Sequence, residues 1–106
     1  MTKEKQIADL LNALEVELQR VELWQASSPS EKALASQEPF ALDALAPQQW
    51  LQWVFIPRFR LLLEMSQPLP VGFSMAPYFE ESWKEVSEYS VLITLIQDID
   101  KVCSDA

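Results

Sequence analysis

At 106 residues, with 49% hydrophobic composition and a single glycine, the chain is sized for one helical core and fits neither a disordered segment nor a turn-rich all-β fold. Sixteen acidic residues against eight basic ones give a net charge of −8, which suits solubility and argues against autonomous binding to a nucleic-acid backbone. There is no histidine and one cysteine, so the commonest general base, the commonest metal ligand and any intramolecular disulfide are absent.

The first element is the most strongly patterned. Ile7, Leu10, Leu11, Leu14, Leu18, Val21 and Gln25 recur at i, i+3, i+4 and i+7, which predicts a helix over about 3–25 with Thr2 as cap. Asp9, Asn12, Glu15, Glu17, Gln19, Arg20 and Glu22 fall on the other faces. Val16, Leu23 and Trp24 broaden the apolar face near the end.

Ala26-Ser27-Ser28-Pro29-Ser30 breaks this helix and opens a long connection over 26–46. Ser30 is placed to cap one helical turn through Ala35. Pro39-Phe40 reads as extended, because the residue before a proline avoids the helical region. Asp43 reads as the cap of a short turn through Leu45. Phe40, Leu42 and Leu45 suggest that the connection packs against the core.

The most apolar stretch follows, Trp50-Leu51-Gln52-Trp53-Val54-Phe55-Ile56-Pro57-Arg58. It continues through Phe59, Leu61, Leu62, Leu63 and Met65, too far for an ordinary strand, and Pro47 stands where a first helical residue is expected. The expectation is a helix over about 47–65. Pro57 lies inside it, at roughly 3 kcal/mol. That cost predicts a kink near Trp53–Pro57, or two shorter helices. Ser66 to Gly72 then forms a loop. Pro77 opens another helix, with Glu80 and Glu81 near its start. A break near 85–87 leads to a last helix over about 87–103. Its buried stripe is Tyr89, Leu92, Ile93, Ile96, Ile99 and Cys103, flanked by Leu95 and Val102. The sum is an all-α fold: one domain over residues 1–106, a single bundle of about four helices with a long, mostly irregular connection after the first.

The run from Gln37-Glu38-Pro39-Phe40 through Asp43, Pro47 and Trp50–Arg58, with Leu69-Pro70 and Met75-Ala76-Pro77-Tyr78, resembles the YqcC-like family of small bacterial proteins. The resemblance covers nearly the whole chain and implies an all-helical bundle. It also implies a gene-neighbourhood link to a tRNA pseudouridine synthase. It carries over no catalytic residues.

Candidate chemistry is sparse. Gly72 is the one glycine, so a glycine-rich phosphate loop is absent. A carboxylate-only metal site would lack the Glu-x-x-His pairs that helical bundles recruit. The acids Glu80, Glu81, Glu85 and Glu88 have helical spacing and read as a solvated face. Cys103 reads as a small core residue, with only Lys101 near to activate it. No catalytic residue, metal or cofactor is expected. Arg58 stands out among apolar neighbours. It reads as a stem along the core with its head in water, as a pair with Asp43, or as a contact for an anion or partner. Trp50 and Trp53, three apart, are expected to share a helix face, and Arg60 lies beside Arg58. Asp43, Trp50, Trp53, Arg58 and Arg60 are therefore the candidate binding residues.

Three functions compete. The first is a non-catalytic interaction or adaptor module, with another protein as partner and a basic RNA-modifying enzyme in view. The second is a module that binds a small apolar or anionic ligand near Arg58. The third, carboxylate catalysis, is disfavoured by the missing histidine and glycine loop. No direct nucleic-acid or membrane partner is expected, and a homodimer is compatible with the pattern. The lone cysteine, the absence of a signal-type apolar region and the lack of any uncharged apolar run of ~18 residues point to a cytoplasmic protein.

Overall fold

A computed structural model describes residues 2–104, and all secondary structure among them is helical. Helix α1 is Lys3–Arg20, with the Thr2 hydroxyl accepting the Lys5 N–H at 3.1 Å as a cap. It stops five residues short of the expected end. Glu22 takes φ 63°, the Leu23 N–H donates to Leu18 O at 2.9 Å, and the Glu22 N–H donates to Gln19 O at 3.1 Å. This is the Schellman stop, with glutamate where glycine usually stands. Apolar periodicity runs on past it because Val21, Leu23 and Trp24 pack on the core from the turn and the irregular segment after it. Two further readings on α1 are corrected. Glu17 is buried beside Leu18, and Val16 is 64% exposed.

Ser30 caps α2 (Glu31–Leu34) as expected, its hydroxyl accepting the Ala33 N–H at 3.1 Å. Glu38 is extended before Pro39, but Phe40 is not. Phe40 and Ala41 both enter the left-handed region, φ 57° and 48°, and the Leu42 N–H closes the turn on Pro39 O at 3.2 Å. Left-handed backbone costs roughly 1–2 kcal/mol per non-glycine residue. The compensation is aromatic packing, since this turn lays the Phe40 ring against the core, beside Trp50 and Tyr78. Asp43 caps nothing: its carboxylate accepts the Ser36 hydroxyl, which holds the two limbs of the connection together.

Helix α3 covers residues 47–64 in three segments: Pro47–Trp50, a π turn over Leu51–Phe55, and Ile56–Glu64. Pro47 is its first residue, and the Gln49 side chain folds back to accept the Ala46 N–H at 2.8 Å. The irregularity expected near Pro57 takes the form of the π turn, in which the Ile56 N–H reaches back to Leu51 O. A regular helix would require an N–H at residue 57 and would press the proline ring onto the Trp53 carbonyl. The wider turn relieves that crowding. A second Schellman stop ends α3, with Ser66 at φ 53° and the Gln67 N–H on Leu62 O at 2.9 Å.

Residues 76–102 form two helices, α4 (Ala76–Ser82) and α5 (Ser90–Val102), the latter preceded by a 3₁₀ turn at Ser87–Tyr89. Helix α1 packs along α5 and against the second half of α3, and α4 lies on α5. The core interleaves Ile7, Leu11, Leu14 and Leu18 with Leu51, Ile56, Phe59, Leu92, Ile96 and Ile99. Cys103 is fully buried among them, and burial pushes its thiol pKa up, as befits an inert core residue. Among the described residues, no helix is long and apolar enough to cross a membrane, and no cluster of acids and cysteine could hold a metal ion.

Candidate functional site

Every aromatic side chain except Trp24 and Trp53 belongs to one continuous chain of ring contacts. From one end it runs Phe73 to Phe59 at 5.8 Å, Phe59 to Phe55 at 4.4 Å, Phe55 to Trp50 at 5.5 Å, and Trp50 to Phe40 at 4.9 Å. Phe40 stacks on Tyr78 at 4.3 Å, and Phe79 leads on to Trp83 and Tyr89. Offset and edge-on pairs of this kind contribute about 0.5–1.5 kcal/mol each beyond area burial. Along this chain Phe79 and Trp83 are buried, while Tyr78 and Tyr89 are half-buried against the core. The other rings form the wall of an open cleft of about 260 Å³, lined by Phe40, Trp50, Phe55, Phe59 and Phe73 together with Arg58 and Met75.

The segment carrying Phe73 and Met75 has no regular structure of its own and is held by the end of α5. The Gly72 N–H donates to Cys103 O at 2.8 Å. The Asp100 carboxylate accepts the Met75 N–H at 2.8 Å and the Ala76 N–H at 2.7 Å. Asp100 thus caps α4 from a different helix and pins the cleft wall beside it.

The opposite face of α3 is organised around Gln25. Its N–H donates to Gln52 Oε1 at 2.8 Å, and its carbonyl accepts Gln52 Nε2–H at 2.7 Å. Its own side-chain oxygen accepts the Trp53 indole N–H at 3.1 Å. Gln52 is only 5% exposed, a buried amide with both ends satisfied. A second cleft lies here, lined by Trp24, Gln25, Ala26, Trp53, Pro57 and Arg60.

The five residues picked from sequence therefore do not form one site. Trp50 and Arg58 share the aromatic cleft. Trp53 and Arg60 share the second one. The expectation that Trp50 and Trp53 lie on one face fails because the π turn advances each residue by less than the usual ~100°, swinging Trp53 away. Arg60 is committed to α1, bonding Glu15 at 2.7 Å and Asn12 at 3.0 Å. Asp43 is in neither cleft, and the proposed Asp43–Arg58 pair is not formed: Asp43 is turned to Ser36, and Arg58 is exposed with no acidic partner among the described residues. Arg20 is paired with Glu17, and that hydrogen bond holds the Glu17 carboxyl below its ordinary pKa. Sequence reasoning missed Phe73, Gln52 and Asp100. Nothing local marks them, since each acts on a segment about 14–27 residues away in sequence.

Comparison with known proteins places this geometry in context. The model of the DUF446 family, described as tRNA pseudouridine synthase C, matches residues 6–102. An uncharacterised protein of Haemophilus influenzae is 38% identical over 95 residues, covering 90% of each chain. The uncharacterised protein YqcC of Escherichia coli is 33% identical over 106 residues, covering 99% of this chain and 97% of that one. The solution NMR structure of E. coli YqcC superposes with a TM-score of 0.86 over 99% of this chain and 91% of that chain. A Pectobacterium carotovorum protein named tRNA pseudouridine synthase C is 38% identical over 84 residues, 79% of this chain but 22% of its own length.

Proposed function

The chain belongs to the DUF446 family and is a homologue of YqcC, and from that premise we propose that it is a non-catalytic protein-interaction module acting with a tRNA pseudouridine synthase. The observation that carries the reading is the Pectobacterium protein, in which a segment similar to most of this chain makes up 22% of a longer polypeptide bearing the synthase name. Joining two modules in one chain raises their effective concentration, and it benefits modules that work together. The same two modules as separate chains need a binding surface instead.

The clefts support a binding role. Neither of the two apolar clefts contains a carboxylate or a nucleophile beside a base, the arrangement that acid–base or covalent catalysis requires. Both present tryptophan and arginine, the residue types that dominate interface energetics. The net charge of −8 opposes RNA, because backbone binding needs cations that displace counterions, and it favours a basic protein partner.

Calorimetry at physiological salt tests the reading. The purified chain is titrated with the tRNA pseudouridine synthase of the same cell and, separately, with bulk tRNA. The expected result is affinity of about micromolar or tighter for the synthase and no heat with tRNA. Silence with the synthase, or tight binding of tRNA by this chain alone, overturns it.

A further inference from the structure

We propose that the aromatic cleft beside Arg58 is the docking site of this module, and that it takes a partner segment in which a large apolar side chain stands next to a carboxylate. This rests on the interaction-module reading and adds the chemistry of the partner segment.

Size is compatible with a single anchor side chain. The cleft measures about 260 Å³. Pockets that enclose small molecules generally run from about 300 to 1,000 Å³. The space here suits one anchor residue, held against the Trp50, Phe55, Phe59 and Phe73 rings as interface anchors are.

Charge supplies the second requirement. The chain has twice as many acids as bases. Arg20 and Arg60 each find one, Glu17 and Glu15. Arg58, in the wall of the aromatic cleft, is exposed and forms no ion pair among the described residues, Glu38 of the adjoining cleft included. A planar guanidinium beside an apolar surface is suited to a bidentate carboxylate contact. The long-range field of an acidic chain steers it toward a basic partner, so the segment read by Arg58 is an acid set in basic surroundings.

The third argument is preorganisation. One wall is fixed by the left-handed turn at Phe40–Ala41. The other is fixed by Asp100 on Met75 and by Cys103 on Gly72. A cleft already held open spends little binding energy on ordering.

The test has two arms. In the first, the isotopically labelled full chain is titrated with N-acetyl-Phe-Asp-amide and with N-acetyl-Phe-Asn-amide, following the Trp50 indole and the Phe73 amide resonances. The aspartyl peptide is expected to shift both, and at least threefold more tightly than the asparaginyl one, with the preference abolished in Arg58→Gln. Because Arg58 is exposed, that variant keeps its fold. Equal binding of the two peptides, no shift at either position, or tighter binding of free 3-phenylpropionate than of the peptide overturns the proposal. In the second arm, Arg58→Glu is titrated with the synthase. A tenfold or greater loss supports the cleft as the docking site, and unchanged affinity refutes it while leaving the partnership intact. Peptide binding in the first arm with no wild-type binding to the synthase leaves the cleft assignment standing and sinks the synthase as its partner.

Discussion

Replacing Asp100 by alanine removes the carboxylate that ties the end of α5 to the start of α4 and to one wall of the aromatic cleft. Its carboxylate accepts the N–H groups of Met75 and Ala76 at 2.8 and 2.7 Å. Both residues are buried, at 3% and 6% exposure, so water has poor access to the orphaned donors. An unsatisfied buried N–H costs about 1–3 kcal/mol and loss of a helix cap about 0.5–2 kcal/mol. The two donors share one helix end, so these figures overlap, and the expected loss is about 2–4 kcal/mol. For a domain of this size that lowers Tm by about 10 °C or more. Asp100→Asn keeps one acceptor oxygen and gives up the charge, so about half the loss is expected. Urea unfolding followed by tryptophan fluorescence measures both. Native-state hydrogen exchange adds a local signature, with faster exchange at Met75 and Ala76 than at Ile96 of the core. A loss below about 0.5 kcal/mol for Asp100→Ala, within the scatter of ordinary surface changes, would falsify the capping argument.

Three further outcomes are expected. Gln52→Leu keeps the volume but strands the N–H and C=O of half-buried Gln25, costing about 1–3 kcal/mol in urea melts, and an unchanged midpoint would show that water replaces the amide freely. Glu22→Gly relieves the left-handed backbone at the end of α1 and is expected to stabilise by about 0.5–1 kcal/mol, whereas destabilisation would mean the glutamate side chain contributes more than the strain removes. Glu17 has a folded-state pKa lowered by its hydrogen bond to Arg20, so its stabilisation is complete above the ordinary carboxylate range and vanishes as pH falls through the lower folded value. The stability difference between wild type and Glu17→Gln should therefore hold steady above about pH 6 and shrink toward about pH 3; a difference that is constant across that range contradicts the pairing.

What the sequence determined by itself is what depends on near neighbours along the chain. The 3.6-residue pattern of α1 and α5, the caps at Thr2 and Ser30, and the starts at Pro47 and Pro77 each involve groups within a few residues, and they establish an all-helical fold. The missing histidine and the single glycine disfavour whole classes of chemistry without reference to any structure. Tertiary structure decided the rest wherever a rule of local spacing met a competing demand from a distance. The early stop of α1 follows from a left-handed Glu22, a conformation that glutamate does not announce. The π turn follows from fitting Pro57 into a helix whose packing on both faces keeps it intact, and that turn widens the angle between Trp50 and Trp53. Asp43 and Arg58 looked like a pair because each was the odd charge in its apolar surroundings. Ser36, seven residues from Asp43, took the carboxylate instead, at less cost in chain entropy than a contact closing a longer loop. The cleft wall is the clearest case, for Phe73 and Met75 carry no local signal and are placed by Asp100 and Cys103, brought beside them only when α5 packs into the bundle.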